Sequence, residues 1–171
     1  MSAWGIRPSG TLGSEPSATG QRDPVAVFQV NGVVEGWIPK LERRMSDSLN
    51  DAGRMRVRTA GPGGFGSEWL ELDLDNVVAV AAPPRPPSAA RLARRLHALD
   101  IEAGPYHLRG TVHMPHGADP HRYIASTGRR WLPLTDCTVA VADDAWAVEV
   151  VIVNMDHAAR QPDPYLAPPF R

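Results

Sequence analysis

Alternation of apolar and polar positions is clearest in two stretches, Phe28–Val34 and Tyr106–Val112, and in both it predicts a half-buried strand. Phe28, Val30, Gly32 and Val34 match Tyr106, Leu108, Gly110 and Val112 one for one at a constant offset, all on one face. The opposite faces carry Gln29, Asn31 and Glu35 in the first stretch and His107, Arg109 and His113 in the second. A glycine in the middle of each apolar face, Gly32 and Gly110, predicts a sharp bend or a close backbone neighbour, as in a strongly curved sheet or small barrel. Each stretch is succeeded by a second landmark, Trp69-Leu-Glu-Leu-Asp73 and Trp131-Leu-Pro-Leu-Thr135, continuing into Asp75–Val80 and Asp136–Val141. Their offset is shorter, which implies an insertion in the first copy.

Between the landmarks, Leu41, Met45 and Leu49 are spaced four apart, as on one face of a short helix that Asn50 and Gly53 can end. In the second copy Asp119 suits an N-cap, Pro120 the first helical position and Gly128 the close of the last turn. Leu92, Leu96 and Leu99, with Ala89 and Ala93, predict an amphipathic linker helix crowded by Arg91, Arg94 and Arg95. Val150–Val153 is apolar on both faces and predicts a central, doubly covered strand. The expectation is therefore a mainly β protein with short helices, built as two tandem, pseudo-twofold-related small units that are barrel-like or strongly curved. Residues 24–82 form copy one and 101–157 copy two. They are joined by a proline linker and basic helix at 83–100 and flanked by disordered arms at 1–23 and 158–171.

Composition agrees with a turn-rich β protein, since the chain has 17 Pro and 15 Gly among 171 residues. The formal net charge of −1 gives no global pull toward nucleic acid or an anionic membrane, so a charged partner must be met by a local patch. Lys40 is the only lysine among 18 basic residues, a bias of GC-rich, for example actinobacterial, genomes. One cysteine, Cys137, excludes an intrachain disulfide and fits a reducing cytoplasm, with the thiol expected as a small core residue. No apolar run is long enough to cross a bilayer and the N-terminal stretch lacks a signal layout, so no membrane partner is expected.

Arg44-Met-Ser-Asp-Ser-Leu-Asn50, with Trp69-Leu-x-Leu-x-x-Asp75 further on, resembles uncharacterised bacterial β-rich proteins with an R-x-S-D-x-L-N, then aromatic-L-x-L-x-D, signature. Arg122-Tyr-Ile-Ala and Trp131-Leu-Pro-Leu-Thr-Asp136 extend the resemblance into copy two. It implies no particular activity. Gly32 and Asp47-Ser-Leu-Asn50 also resemble the strand glycine and later loop of Sm-like small barrels.

Four stretches offer chemistry. Gly61-Pro-Gly-Gly-Phe-Gly66 spells G-x-G-x-x-G, but Ser67–Asp73 beyond it alternates like a strand and Pro62 supplies no amide, so it reads as a hairpin loop. His113, His116, Asp119 and His121 lie close enough in sequence to offer zinc an open nitrogen and oxygen site, which would suit a hydrolase. Surface histidines on a loop, with Asp119 as a cap, are the plainer reading. Arg54, Arg56 and Arg58 share a strand face, with Arg43, Arg44, Arg129 and Arg130 elsewhere. Beside Trp69 or Trp131 as a stacking platform they would track a phosphate backbone. The alternative is a solvated face balanced by Glu42, Asp47, Glu71 and Asp73. Cys137 sits in an apolar strand, where a buried thiol is ordinarily inert.

The leading expectation is a non-enzymatic interaction or assembly module that needs no cofactor and binds another protein or a second copy of itself. Nucleic-acid binding through the arginines, and zinc hydrolysis at the histidine loop, stand as alternatives.

Overall fold

The computed structural model describes residues 22–60, 67–83, 94–126 and 128–159. The strands are β1 (Arg22–Gln29), β2 (Gly32–Pro39), β3 (Arg54–Ala60), β4 (Ser67–Asp73), β5 (Val77–Ala81), β6 (Arg94–Ala103), β7 (Tyr106–Pro115), β8 (Trp131–Val141) and β9 (Asp144–Asn154). Helix α1 (Met45–Asp51) lies between β2 and β3, and α2 (Pro120–Ser126) between β7 and β8. A 3-10 turn, Leu74–Asn76, separates β4 from β5. The described strands form one antiparallel sheet in the order β4-β3-β2-β1-β5-β9-β8-β7-β6, an open sheet rather than a closed barrel.

The three middle strands are apolar on both faces, and this organises the core. Along β1, Val25 and Val27 join one buried cluster while Ala26 and Phe28 join another. Successive side chains of a strand point to opposite faces, so the two clusters lie on opposite sides of the sheet. One holds Ile38, Leu49, Val57 and Leu72 from β2, α1, β3 and β4. The other holds Leu108, Met114, Leu134, Val139 and Trp146 from β7, β8 and β9. Each end of the sheet thus packs over a different face of its middle. On β9, Val151 and Val153 face one cluster and Ile152 the other, as the doubly apolar Val150–Val153 predicts.

Both short helices form where their sequence signals stand. Asp119 caps α2, its Oδ1 accepting from the Arg122 N–H at 2.9 Å, and Gly128 beyond the helix has φ +55°. Leu49 on α1 is buried and Leu41 and Met45 pack against the same cluster, although Leu41 precedes the helix.

Several sequence expectations are overturned. Phe28–Val34 is not one strand: β1 ends at Gln29, β2 begins at Gly32, and Tyr106–Val112 lies wholly within β7. Gly32 sits exposed at the hairpin turn with φ +152° and nothing within 4 Å of an added Cβ. The glycine that matches Gly110 by place in the fold is Gly36. A Cβ there would lie 2.4 Å from the Arg58 carbonyl oxygen of β3, and one at Gly110 would lie 3.2 Å from Thr135 O and from Cys137 of β8. Trp69 and Trp131 are not equivalent either: Trp131 starts the strand after α2 and is fully buried, whereas Trp69 is exposed on β4. The predicted linker helix is contradicted where it is described, because Arg94–Ala103 is β6, hydrogen-bonded to β7 from end to end. The leucine spacing mimics a helical stripe because Leu96 points to solvent, while the inward set of this strand is Leu99, Ile101 and Ala103. The remainder of that linker, 84–93, lies outside the described residues, as do 1–21 and 160–171 of the expected arms.

Candidate functional site

Arg54, Arg56 and Arg58 lie on one strand, β3, as their spacing predicts. Residue for residue, β3 and β4 pair Arg54 with Asp73, Arg56 with Glu71 and Arg58 with Trp69, so these six side chains share one face. Arg54 makes an ion pair with Glu71. The Arg56 guanidinium stands over the Trp69 ring, 5.0 Å from its centroid, a cation–π contact that holds the indole while leaving it 48% exposed. The next residue, Leu70, points to the opposite face and is 40% exposed. Among the described residues β4 is the end strand of the sheet, so an exposed aromatic and an exposed aliphatic side chain flank a sheet edge. The glycine segment 61–66 joins these two strands and lies outside the described residues; its flanks Ala60 and Ser67 are paired, as a hairpin loop requires.

The other arginines have separate tasks. Arg43 engages the Asp51 carboxylate and the Asp47 carbonyl, holding the start of α1 to its end. Arg44 is the residue before that helix and Arg129 is exposed before β8. Arg130 belongs to a polar latch. Its guanidinium donates to Asp75 Oδ1 at 2.6 Å and to Leu74 O at 3.1 Å, and its Nε lies 2.9 Å from Asp156 Oδ2. The fully buried Asn154, which sequence reasoning missed, completes the latch. Its Nδ2 donates to Leu74 O and Val77 O at 3.3 and 2.9 Å, and its Oδ1 accepts from Arg130 Nε and the Asp156 N–H. Arg130 therefore ties β9 to the 3-10 turn and is not grouped with Arg54, Arg56 and Arg58.

The signature residues also act in packing. Asn50 donates through Nδ2 to Ser46 O and accepts through Oδ1 from the Trp131 N–H at 3.2 Å, fastening α1 to the first residue of β8. Trp131 fills the cluster under that helix, with Arg130 over its ring at 5.7 Å. Among the described residues its Nε1 is the one buried side-chain nitrogen or oxygen without a hydrogen-bond partner.

The expected zinc ligands are spread over three elements. His113 on β7 has its Nε2 2.9 Å from Thr135 Oγ1, His116 is exposed in the turn after β7, and Asp119 is occupied as the cap of α2. His121 is the second residue of α2, and its side chain lies outside the described set. Among the described residues no three histidine, cysteine or acidic side chains come together in a way that could hold a metal ion. His107, on the polar face of β7, meets Asp100, which also lies 3.5 Å from Arg109. Cys137 is buried, and that burial pushes its thiol up to about 12, the reverse of nucleophile activation.

No protein-family model, curated protein or solved structure matches this chain. Among the described residues, no helix is long and apolar enough to cross a membrane.

Proposed function

We infer that this protein is a non-enzymatic interaction module whose binding surface is the β3–β4 hairpin, and that it engages an extended segment of another protein along β4. The observation that carries this reading is the exposure of Trp69 and Leu70 on opposite faces of an end strand. An added strand would take its main-chain hydrogen bonds from the edge and cover both side chains, the usual division between affinity and specificity in strand addition. Tryptophan is a typical anchor for such contacts. The alternating rungs Arg54, Arg56 and Arg58 against Glu71 and Asp73 favour a partner segment of mixed charge. One cysteine, buried, suits a reducing cytoplasm.

The architecture reads as a duplicated unit, each copy running hairpin, helix, hairpin, with β5 added to the first. The sheet order then carries the copies head to tail with opposite strand directions and cores on opposite faces. That relation is a half-turn about an axis running across the strands combined with a shift, in place of a closed twofold.

The test is capture from cells with wild-type protein and with the Trp69→Ser, Leu70→Ser double variant. A specific protein or a second copy held by the wild type should be lost from the variant; an unchanged set of bound proteins overturns the reading. A second reading, single-stranded nucleic acid stacked on Trp69, is favoured by the Arg56–Trp69 contact. It requires oligonucleotide binding that weakens steeply with salt and with Arg56→Gln.

A further inference from the structure

The opposite end of the sheet is β6, and the chain itself begins to cover it. After β9 the backbone turns back, and Ala158 forms an antiparallel bridge with Ala103. The Gly104 N–H donates to His157 O at 3.1 Å, and the Ala159 N–H to Glu102 O at 2.7 Å. These bonds set a register and a parity. Residues 157 and 159 turn their backbone groups toward β6, so in an extended continuation 161, 163 and 165 would do the same, while 160, 162, 164, 166 and 168 would turn theirs to solvent. On β6 itself, Ala103 pairs with Tyr106 across the Gly104-Pro105 turn, which leaves the N–H groups of Leu96, Ala98, Asp100 and Glu102 directed away from β7.

The residues beyond Ala159 fit this parity. Pro162, Pro164 and Pro168 all fall on positions whose missing N–H would have pointed to solvent, and Pro169 is the first to fall on a bonding position. The same register sets Tyr165 opposite Leu96, which is 63% exposed among the described residues, the largest exposure of any bulky apolar side chain there. We propose that residues 160–167 dock on the outer edge of β6 as a tenth, antiparallel strand, continuing the Ala103–Ala158 register and laying Tyr165 over Leu96. Prolines on its outer side make it a strand to which no further strand can add through those positions. With that segment docked, β4 is the one end strand left among the described residues, so association through β4 would stop at a pair instead of growing into a filament. The β6 strand is independent of any partner at β4, and each can fail alone.

Hydrogen exchange on the full chain tests this. With Gln161→Pro and Asp163→Pro together, ring nitrogens replace the bonding N–H groups, and exchange at the Ala98 and Asp100 amides should speed on the order of tenfold or more. With Pro162→Ala and Pro164→Ala together, protection should remain, and amides of β8 and β9 should be unchanged in both. Equal exchange of Ala98 and Asp100 in the wild type and the Gln161→Pro, Asp163→Pro variant overturns the proposal. So does protection that rises with protein concentration, which marks a second copy on that edge. A cysteine pair gives a second reading of the register: His97→Cys with Pro164→Cys, directly opposite, should join within one chain under oxidised glutathione. His97→Cys with Tyr165→Cys, one residue out of step, should not. Equal joining of the two pairs, or none in either, also overturns it.

Discussion

Tyr106 and Cys137 show what burial does to single ionisable groups in this core. The Tyr106 hydroxyl lies 2.8 Å from Gln29 O and 3.1 Å from Gly32 O, pinning β7 against the β1–β2 turn, and its ring meets Phe28 edge-on with centroids 5.4 Å apart. Desolvation raises its pKa above the ordinary 10.0, and desolvation raises the Cys137 thiol from 9.0 to about 12. Both are acids that the folded chain keeps neutral. Below pH 9 they are protonated folded or unfolded, so their contribution to stability is fully present; as pH rises toward 12 the unfolded chain ionises first and that contribution is lost. The urea midpoint should therefore fall between pH 9 and 12. Cys137→Ala and Tyr106→Phe should each flatten that fall, whatever they do to the midpoint at neutral pH. An unchanged slope in both variants would show that these groups do not control it.

At the scale of elements, the two hairpin–helix–hairpin halves each turn on one glycine where neighbouring strands approach. Gly36 on β2 lies under the β3 backbone, where Trp37 pairs with Arg58. Gly110 on β7 lies beside Cys137 and the Thr135 carbonyl, where the β7–β8 register shifts and Asp136 takes a positive φ of 50°. A methyl group at Gly36 would meet backbone that cannot yield without moving β3. Gly36→Ala should thus cost about 2–3 kcal/mol by urea unfolding. The loss should come with faster amide exchange along β3 and β4. A midpoint and β3 exchange equal to wild type would contradict this account of the strand crossing. The glycine rule was readable from sequence for Gly110 but was misplaced onto Gly32, because alternation runs unbroken through the β1–β2 turn. Glu35-Gly-Trp37 against Arg109-Gly-Thr111 was the signal available for the two glycines that meet a neighbouring strand.

At the scale of the molecule, neither half owns its core. Trp131 and Ile152, from the C-terminal half, sit in the cluster with Val25, Leu49 and Val57. Phe28, Val78 and Ala81, from the N-terminal half, sit in the cluster with Leu108 and Trp146. The Asn50–Trp131 bond and the Arg130–Asp75 pair also cross between halves. Fragments 1–83 and 94–171 expressed separately should each lack a cooperative unfolding transition, and mixing them should restore one. Independent cooperative unfolding of both fragments, without association, would show that the halves are separate domains.

Properties that depend on neighbours along the chain were mostly legible in the amino-acid order. Period-two alternation marked β7 and the arginine face of β3, Asp119-Pro120 marked the start of α2, and the doubly apolar Val150–Val153 marked a central strand. The burial of Cys137 could be read from its apolar surroundings. Folding in three dimensions decided the rest, because those properties depend on which strands meet. Leucines at helical spacing became β6 once that segment could pair along its whole length with β7, since ladder hydrogen bonds and an inner face of Leu99, Ile101 and Ala103 outweigh a helical stripe of Leu92, Leu96 and Leu99. Two buried clusters on opposite faces of shared strands opened the expected barrels into a single sheet. The same joining placed Trp131 in the core and left Trp69 on an edge: similar motifs meet different fates when, among the described residues, one strand has neighbours on both sides and the other on one.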